Sequence, residues 1–216
     1  PLGLAAVVLL ERVENWQPRW QHAFQIPLFI LLFISLLFPT LASLDKISDR
    51  MSEQAPRTLD GMKYMESSFY HSNGLDMDLG RDYRAIQWMQ DHVEGSPVIV
   101  EAQTYEYAWG NRFTIYTGLP SVVGWNYHQR QQRAIMRDNQ VQERVDELNL
   151  FYNSTDREFV SDYIRRYDVQ YIIVGQQELA MYSTAGLIKF TQWDGELWDA
   201  VYRQEGTAIY KVRQHD

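Results

Sequence analysis

Between Ile26 and Leu44 the chain reads IPLFILLFISLLFPTLASL, with no charged residue and only Ser35, Thr40 and Ser43 as polar side chains. About 19 residues rising roughly 1.5 Å each span about 28 Å, close to the hydrocarbon thickness of a bilayer. Such a segment has three readings. A helix buried in the core of a small soluble domain normally keeps one polar face, and this one has none. A signal peptide places its apolar stretch near the start and follows it with a small-residue cleavage site. Here about 25 residues of other sequence come first, and no such site follows. A transmembrane helix is the reading that remains. Pro27 falls in its expected first turn, where a missing N–H costs nothing. Pro39 is expected to kink the span or end it early.

The opening PLGLAAVVLL (Pro1–Leu10) is apolar as well and resembles the tail of an earlier transmembrane helix. Glu11–Gln25 is then expected to be a short loop with Trp16 and Trp20 at the interface. Arg12 and Arg19 place this loop on the cytoplasmic side by the positive-inside rule, although Lys46 and Arg50 weaken the bias. On that orientation, residues 45–216 form a soluble domain on the extracytoplasmic side and residues 1–44 form the membrane region.

Composition narrows what the soluble part can do. Twenty-eight acidic residues against 20 Lys and Arg give a net charge of −8. That balance excludes nucleic acid as a partner of the whole chain, because affinity there comes from clustered cations. No cysteine is present, which removes disulfides, thiolate metal sites and cysteine nucleophiles. No phosphate-binding glycine loop, HExxH or GxSxG occurs. The five histidines form no i, i+4 pair, so neither a cofactor nor a metal is expected.

From residue 44 on, the pattern predicts a small, mostly parallel α/β sheet with flanking helices. Leu44–Met51 prolongs the membrane helix, and Gln54-Ala55-Pro56 breaks it. Arg57–Asn73 reads as loop, with a turn at Thr58–Gly61. A helix over Asp82–Val93 places Tyr83, Ile86 and Met89 on one face. Pro97–Ala102 (PVIVEA) and Tyr171–Gly175 (YIIVG) read as buried parallel strands. A longer helix near Asn139–Tyr152 aligns Val141, Val145, Leu148 and Phe151. Thr155 with Glu158 forms a capping box for a helix over Asp156–Arg166. Asn153-Ser154-Thr155 also matches a glycosylation sequon, but it is read here as that cap. Gln177–Tyr182 is a helical turn. Trp198–Tyr202 and Thr207–Val212 form a hairpin around Gln204-Glu205-Gly206.

The segment Glu101–Arg133, EAQTYEYAWGNRFTIYTGLPSVVGWNYHQRQQR, is the densest in chemistry. It starts where a buried strand ends, and in open α/β sheets ligands gather at the carboxyl ends of strands. Aromatic rings stack on apolar sugar faces, and charged groups bond hydroxyls. Glu101, Tyr105, Arg112, Trp125, His128 and Arg133 are therefore candidate substrate-binding residues; none is assigned a catalytic role. The competing reading is that the rings pack the loop onto the sheet and that Arg130 and Arg133 face solvent. On a helix, those two arginines would share a face able to take a phosphate.

One ordered set of motifs resembles a known family. TLDG (Thr58–Gly61) comes first, then Ala85-Ile86-Gln87-Trp88, PVIVEA, Tyr105 and Arg112. YTGLP (Tyr116–Pro120), Gly124-Trp125, His128, Arg133 and YIIVG follow. This set, behind a transmembrane helix, resembles the C-terminal part of the YYY family of uncharacterised polytopic membrane proteins, itself similar to GT-C membrane glycosyltransferases. In that family's pattern a glutamate follows the histidine, whereas here Gln129 does, so a carboxylate is missing from the loop. The resemblance implies a many-helix membrane protein using a polyprenyl-phosphate sugar, with its catalytic acid in an early loop outside this chain. The expected partners are membrane lipid, that lipid-linked sugar and other membrane subunits. In this picture the soluble domain has an accessory substrate-binding or structural role, and the stretch alone is inactive. The alternative is a non-catalytic anchored subunit that docks onto a larger membrane complex. A sugar site predicts a concave pocket holding Glu101, Arg112 and His128 together; a docking subunit predicts aromatics spread over a flat face.

Overall fold

A computed structural model describes residues 2–50, 54, 56–72, 75–136 and 139–213. The chain falls into two units, Pro1–Glu53 and Gln54–Asp216. In the first, helix α1 (Leu2–Val13) is followed by a short turn, and α2 (Pro18–Arg50) begins on a proline. A first-turn proline gives up only an N–H that has no helical partner, so Pro18 starts α2 cleanly. The expected loop over Glu11–Gln25 is thus confined to a few residues, and Pro27 lies well inside the helix rather than at its start. Pro39 does not end it, and α2 continues through the predicted extension to Arg50; Met51 lies outside the described residues. Each internal proline deletes one N–H donor, and its leucine- and phenylalanine-rich neighbours still favour the helix. Ser35 and Thr40 donate their hydroxyls to the carbonyls of Leu31 and Leu36, both at 2.7 Å, so they show no free polar group to an apolar medium. Pro18–Asp49 is long and apolar enough to cross a membrane, and its most apolar stretch is unburied.

The second unit is a mixed α/β fold. Residues 57–72, read as loop, hold the expected turn, in which Thr58 and Asp60 side chains accept from the N–H of Asp60 and Met62. They also hold a 3₁₀ turn (Lys63–Ser67) and strand β1 (Phe69–Ser72), which pairs antiparallel with β2 (Leu75–Asp78). Asp78 accepts from the N–H of Gly80 and so starts α3 (Leu79–His92) three residues before the predicted position.

Strand β3 (Val98–Val100) runs parallel to β4 (Val169–Val174), as expected for two buried apolar runs. The remaining pairings are antiparallel: β4 with β6 (Thr207–Val212), and β6 with β5 (Trp198–Gln204). The sheet order is β3-β4-β6-β5. The sheet is therefore mixed rather than mostly parallel, because the predicted terminal hairpin joins it. Positive φ at Glu205 (48°) and Gly206 (81°) closes that hairpin tightly.

Period-two alternation along β4 divides the core. Ile172 and Val174 face one layer with Leu148, Phe151, Tyr152, Val160 and Phe190. Tyr171 and Ile173 face the other with Tyr83, Ile86, Met89 and Phe113. Helices α4 (Arg112–Thr117) and α5 (Asn126–Gln132) lie where the sequence suggested loop. Helix α6 (Gln140–Asn153) buries Val141, Val145, Leu148 and Phe151 as their spacing predicts. Helix α7 (Arg157–Tyr167) is capped by Asp156, not Thr155: the carboxylate one residue on accepts from the N–H of Glu158 at 2.9 Å. Helices α8 (Gln176–Met181) and α9 (Thr184–Gln192) complete the layer beyond β4.

Candidate functional site

The site grows from the carboxyl ends of β3 and β4. Glu101, directly after β3, turns its carboxylate onto the start of α4. It accepts from the backbone N–H of Phe113 (3.0 Å) and Thr114 (2.9 Å) and from the Thr114 hydroxyl (2.8 Å). A negative side chain satisfying first-turn N–H groups explains why so short a helix forms there.

Arg112, the first residue of α4, is fully buried between three carboxylates. Its Nε donates to Asp82 Oδ2 at 2.8 Å and its Nη2 to Glu178 Oε2 at 2.8 Å. Nη1 lies 3.5 Å from Glu101 Oε2. Glu178 in turn accepts from the N–H of Ala102 (2.7 Å) and Gly175 (2.8 Å), tying the ends of β3 and β4 together. Trp109 Nε1 also donates to Asp82, at 2.8 Å.

Three buried carboxylates around one guanidinium leave an excess of negative charge. Burial pushes the pKa of Asp82 and of Glu101 up, and Arg112 pulls each back only in part. Burial alone would lower that of Arg112, but Asp82, Glu178 and Glu101 outweigh it and keep the guanidinium charged. Asp82 Oδ1 has no hydrogen-bond partner, which fits a carboxyl that is easily protonated. The cluster has no open face toward a substrate. It acts as a clamp that fixes both ends of the loop between Glu101 and Arg112.

That loop carries the exposed chemistry. Tyr105 and Tyr107 are 80% and 76% exposed. Tyr107 and Asn111 hold positive φ of 62° and 53°, a strained backbone for residues with a Cβ. Gly110 packs so closely on Thr104 that a Cβ there would collide with its hydroxyl oxygen. Below the rings, a notch of about 10 Å³ is lined by Gln103, Tyr105, Asn111, Trp125 and Tyr127 among others. Gln103 and Asn111 are 6% and 3% exposed, yet Gln103 Oε1 and Asn111 Oδ1 have no hydrogen-bond partner. Two buried acceptors beside a space of one small polar group are an unmet demand for a donor. Tyr107, Trp125, Tyr127 and His128 form one ring cluster above α5, with His128 5.7 Å from Tyr127 and 6.3 Å from Trp125 between centroids.

The six candidate residues therefore separate. Glu101 and Arg112 are joined inside the clamp. Tyr105 and Trp125 flank the notch. His128 is exposed in the ring cluster, so no concave pocket unites it with Glu101 and Arg112. Arg133 ends α5 beside a different hollow of about 210 Å³. The sequence reading missed Asp82, Glu178, Gln103 and Asn111. Glu178 lies 66 positions from Arg112, a separation that no local pattern reports. A larger groove of about 1220 Å³ opens at the other ends of β3 and β4. Two of its lining arginines are paired, Arg213 with Asp199 at 2.5 Å inside the groove and Arg165 with Asp162 just outside its lining. Among the described residues, no group of His, Asp or Glu is arranged to hold a metal ion.

No family model and no curated protein matches the chain. Two solved chains do. One of them is the C-terminal globular domain of an oligosaccharyltransferase from Archaeoglobus fulgidus, 13% identical, with a TM-score of 0.39, over 60% of this chain and 95% of that domain.

Proposed function

We propose that this chain is a membrane-anchored, non-catalytic recognition unit, and that the loop from Gln103 to His128 receives a hydroxyl-rich group such as a saccharide. One observation carries this reading: the paired, buried, partnerless oxygens of Gln103 and Asn111 beneath exposed tyrosine rings. A saccharide supplies both missing parts, since its hydroxyls donate to amide oxygens and its C–H faces stack on rings. The clamp at Arg112 keeps the loop pre-organised, so little ordering opposes binding. The carboxylates of Asp82, Glu101 and Glu178 are sealed under it, out of reach as acid or base, which supports an accessory role.

In the wider setting, the motif order supports placing the chain in a GT-C-like membrane protein that handles a polyprenyl-phosphate sugar. Helix α2 would be its anchor and residues 45–216 would lie on the extracytoplasmic side. A second reading, docking onto another membrane subunit, is favoured by the small size of the notch and the openness of Tyr105 and Tyr107.

Saturation-transfer NMR on the full chain in lipid nanodiscs separates the two. The probes are glucose, mannose and N-acetylglucosamine, with glycerol as a flexible control. The saccharide reading expects ring-proton transfer that is lost in Asn111→Ala and Tyr105→Ala. Absence of transfer from all three sugars to the unaltered chain overturns it and leaves docking.

A further inference from the structure

Arg130 and Arg133 are left over from the recognition loop, and so is the chain that follows them. Between Glu106 and Asp138 the sequence contains no acidic residue, in a protein whose net charge is −8. Of the described arginines in that run, Arg112 is locked inside the clamp, whereas Arg130 and Arg133 are exposed; Arg137 lies outside the described residues. They sit three positions apart on α5 and its C-cap, in one stripe with Tyr127. Arg130 reaches Glu106 at 3.2 Å and Asn126 at 2.9 Å, in an open, solvated arrangement that holds a guanidinium only weakly.

The chain then makes a tight turn. The N–H of Ala134 donates to the carbonyl of Gln131 (3.3 Å), and that of Met136 to the carbonyl of Arg133 (2.9 Å). This turn holds Ile135 at 96% exposure, with Met136 at 54%. A large β-branched side chain kept out in water by a hydrogen-bonded turn is unfavourable unless something apolar covers it. The hollow of about 210 Å³ beside it is lined by Arg130, Arg133, Met136, Asn139 and Val141 among others, and none of its lining residues is acidic.

We infer that this element is a membrane-surface contact: Ile135 and Met136 enter the interface while Arg130 and Arg133 engage anionic lipid headgroups. The occupant follows from complementarity. Cations beside protruding apolar side chains and an aromatic residue match the boundary between negatively charged headgroups and acyl chains. A protein partner needs no such gradient from charge to oil over a single turn. The inference does not depend on saccharide binding. It does rest on α2 being a membrane anchor, which keeps the domain within reach of lipid.

Because the chain has no cysteine, single cysteines can be introduced and spin-labelled in the whole chain. Ile135→Cys is the reporter. Leu59→Cys, fully exposed in a region without arginines beyond Arg57, is the water control. Ile30→Cys on α2 reports the anchor. Labels are read by relaxation with oxygen, which concentrates in lipid, and with a nickel chelate, which stays in water. The nanodiscs contain either phosphatidylcholine alone or phosphatidylcholine with phosphatidylglycerol.

Position 135 is expected to shift from water-like to lipid-like when phosphatidylglycerol is present. Position 59 is expected to remain in water and position 30 in lipid throughout. Arg130→Gln with Arg133→Gln is expected to abolish the shift at 135. A water-like label at 135 in anionic discs, with a lipid-like label at 30, overturns the surface contact and leaves the anchor standing. Water-like labels at both positions overturn both. A label at 135 that broadens by spin–spin coupling between chains, without oxygen sensitivity, assigns the patch to a second copy and overturns the lipid assignment.

Discussion

The second unit, Gln54–Asp216, buries two cations by opposite means. Arg112 is met by three carboxylates from α3, α8 and the end of β3. Lys189 on α9 is met by three neutral carbonyls, those of Phe151 (2.6 Å), Tyr152 (2.8 Å) and Gly186 (2.9 Å), and packs on the rings of Phe151 and Phe190. The first arrangement carries excess negative charge and joins elements distant in sequence. The second carries excess positive charge and closes the C-terminal end of α6 against α9. Charged partners make a rigid base for the loop between Glu101 and Arg112, whereas carbonyl partners make a packing joint. The molecule uses each where that property is needed.

Removing the guanidinium is the harshest test of this contrast. Arg112→Met leaves three carboxylates buried without a cation, and breaking such a site costs about 3–5 kcal/mol. Urea unfolding is expected to show that loss, together with loss of any ligand signal from the loop. Lys189→Met keeps the volume and removes a charge whose partners are dipoles. The carbonyls it leaves unpaired cost about 1–3 kcal/mol. The loop should keep its binding, because Lys189 supports the opposite layer of the sheet. If the lysine variant lost as much stability as the arginine variant, the distinction between the two sites would fail.

Acidity sharpens the contrast, since the two sites respond in opposite directions. Asp82 and Glu101 titrate above their ordinary values of 3.8 and 4.5 because of burial. The folded state therefore binds protons that the unfolded state has released, and their contribution to stability declines as pH rises from about 4. Lys189 is lowered by burial from 10.5 to about 7. Over that interval the unfolded chain binds more protons, so its contribution improves as pH rises from 7 to 10.5. Stability profiles should show Asp82→Asn flattening the acidic limb and Lys189→Met flattening the alkaline one. If Asp82→Asn leaves the acidic limb unchanged, the carboxylate excess in the clamp is not real.

The same contrast explains what could be read from the sequence. Helix α6 was legible because Val141, Val145, Leu148 and Phe151 repeat at helical spacing. Strand β4 was legible because its apolar run is long, and the hairpin because Glu205-Gly206 sits between two alternating runs. The β1–β2 hairpin was not, since four-residue strands give too few periods to stand out. Helix α4 was hidden for another reason: its cap is the side chain of Glu101, twelve positions from Phe113, rather than a local serine or aspartate. The segment Glu101–Arg133 stands out in the sequence for its mix of rings and charges, but its parts cannot be sorted there. Whether an arginine faces solvent or three carboxylates depends on α3 and α8, which the loop's own sequence does not mention. Gln103 and Asn111 carried no signal at all, because an amide draws notice only when burial has taken away its partners.

The mildest substitution reads the division of labour most cleanly. Tyr105 is so exposed that Tyr105→Ala removes little buried area, and exposed changes of this kind stay within about 0.5 kcal/mol. The clamp below is untouched, so the thermal midpoint and the pH profile should match those of the parent chain. A saccharide held partly by that ring should nonetheless release faster, weakening binding by roughly tenfold for a stacking contribution of about 1 kcal/mol or slightly more. Stability that falls with Tyr105→Ala would mean that the ring braces the loop. The base would then owe its rigidity to the aromatic cluster, and Arg112 would be a consequence of the loop's shape rather than its cause.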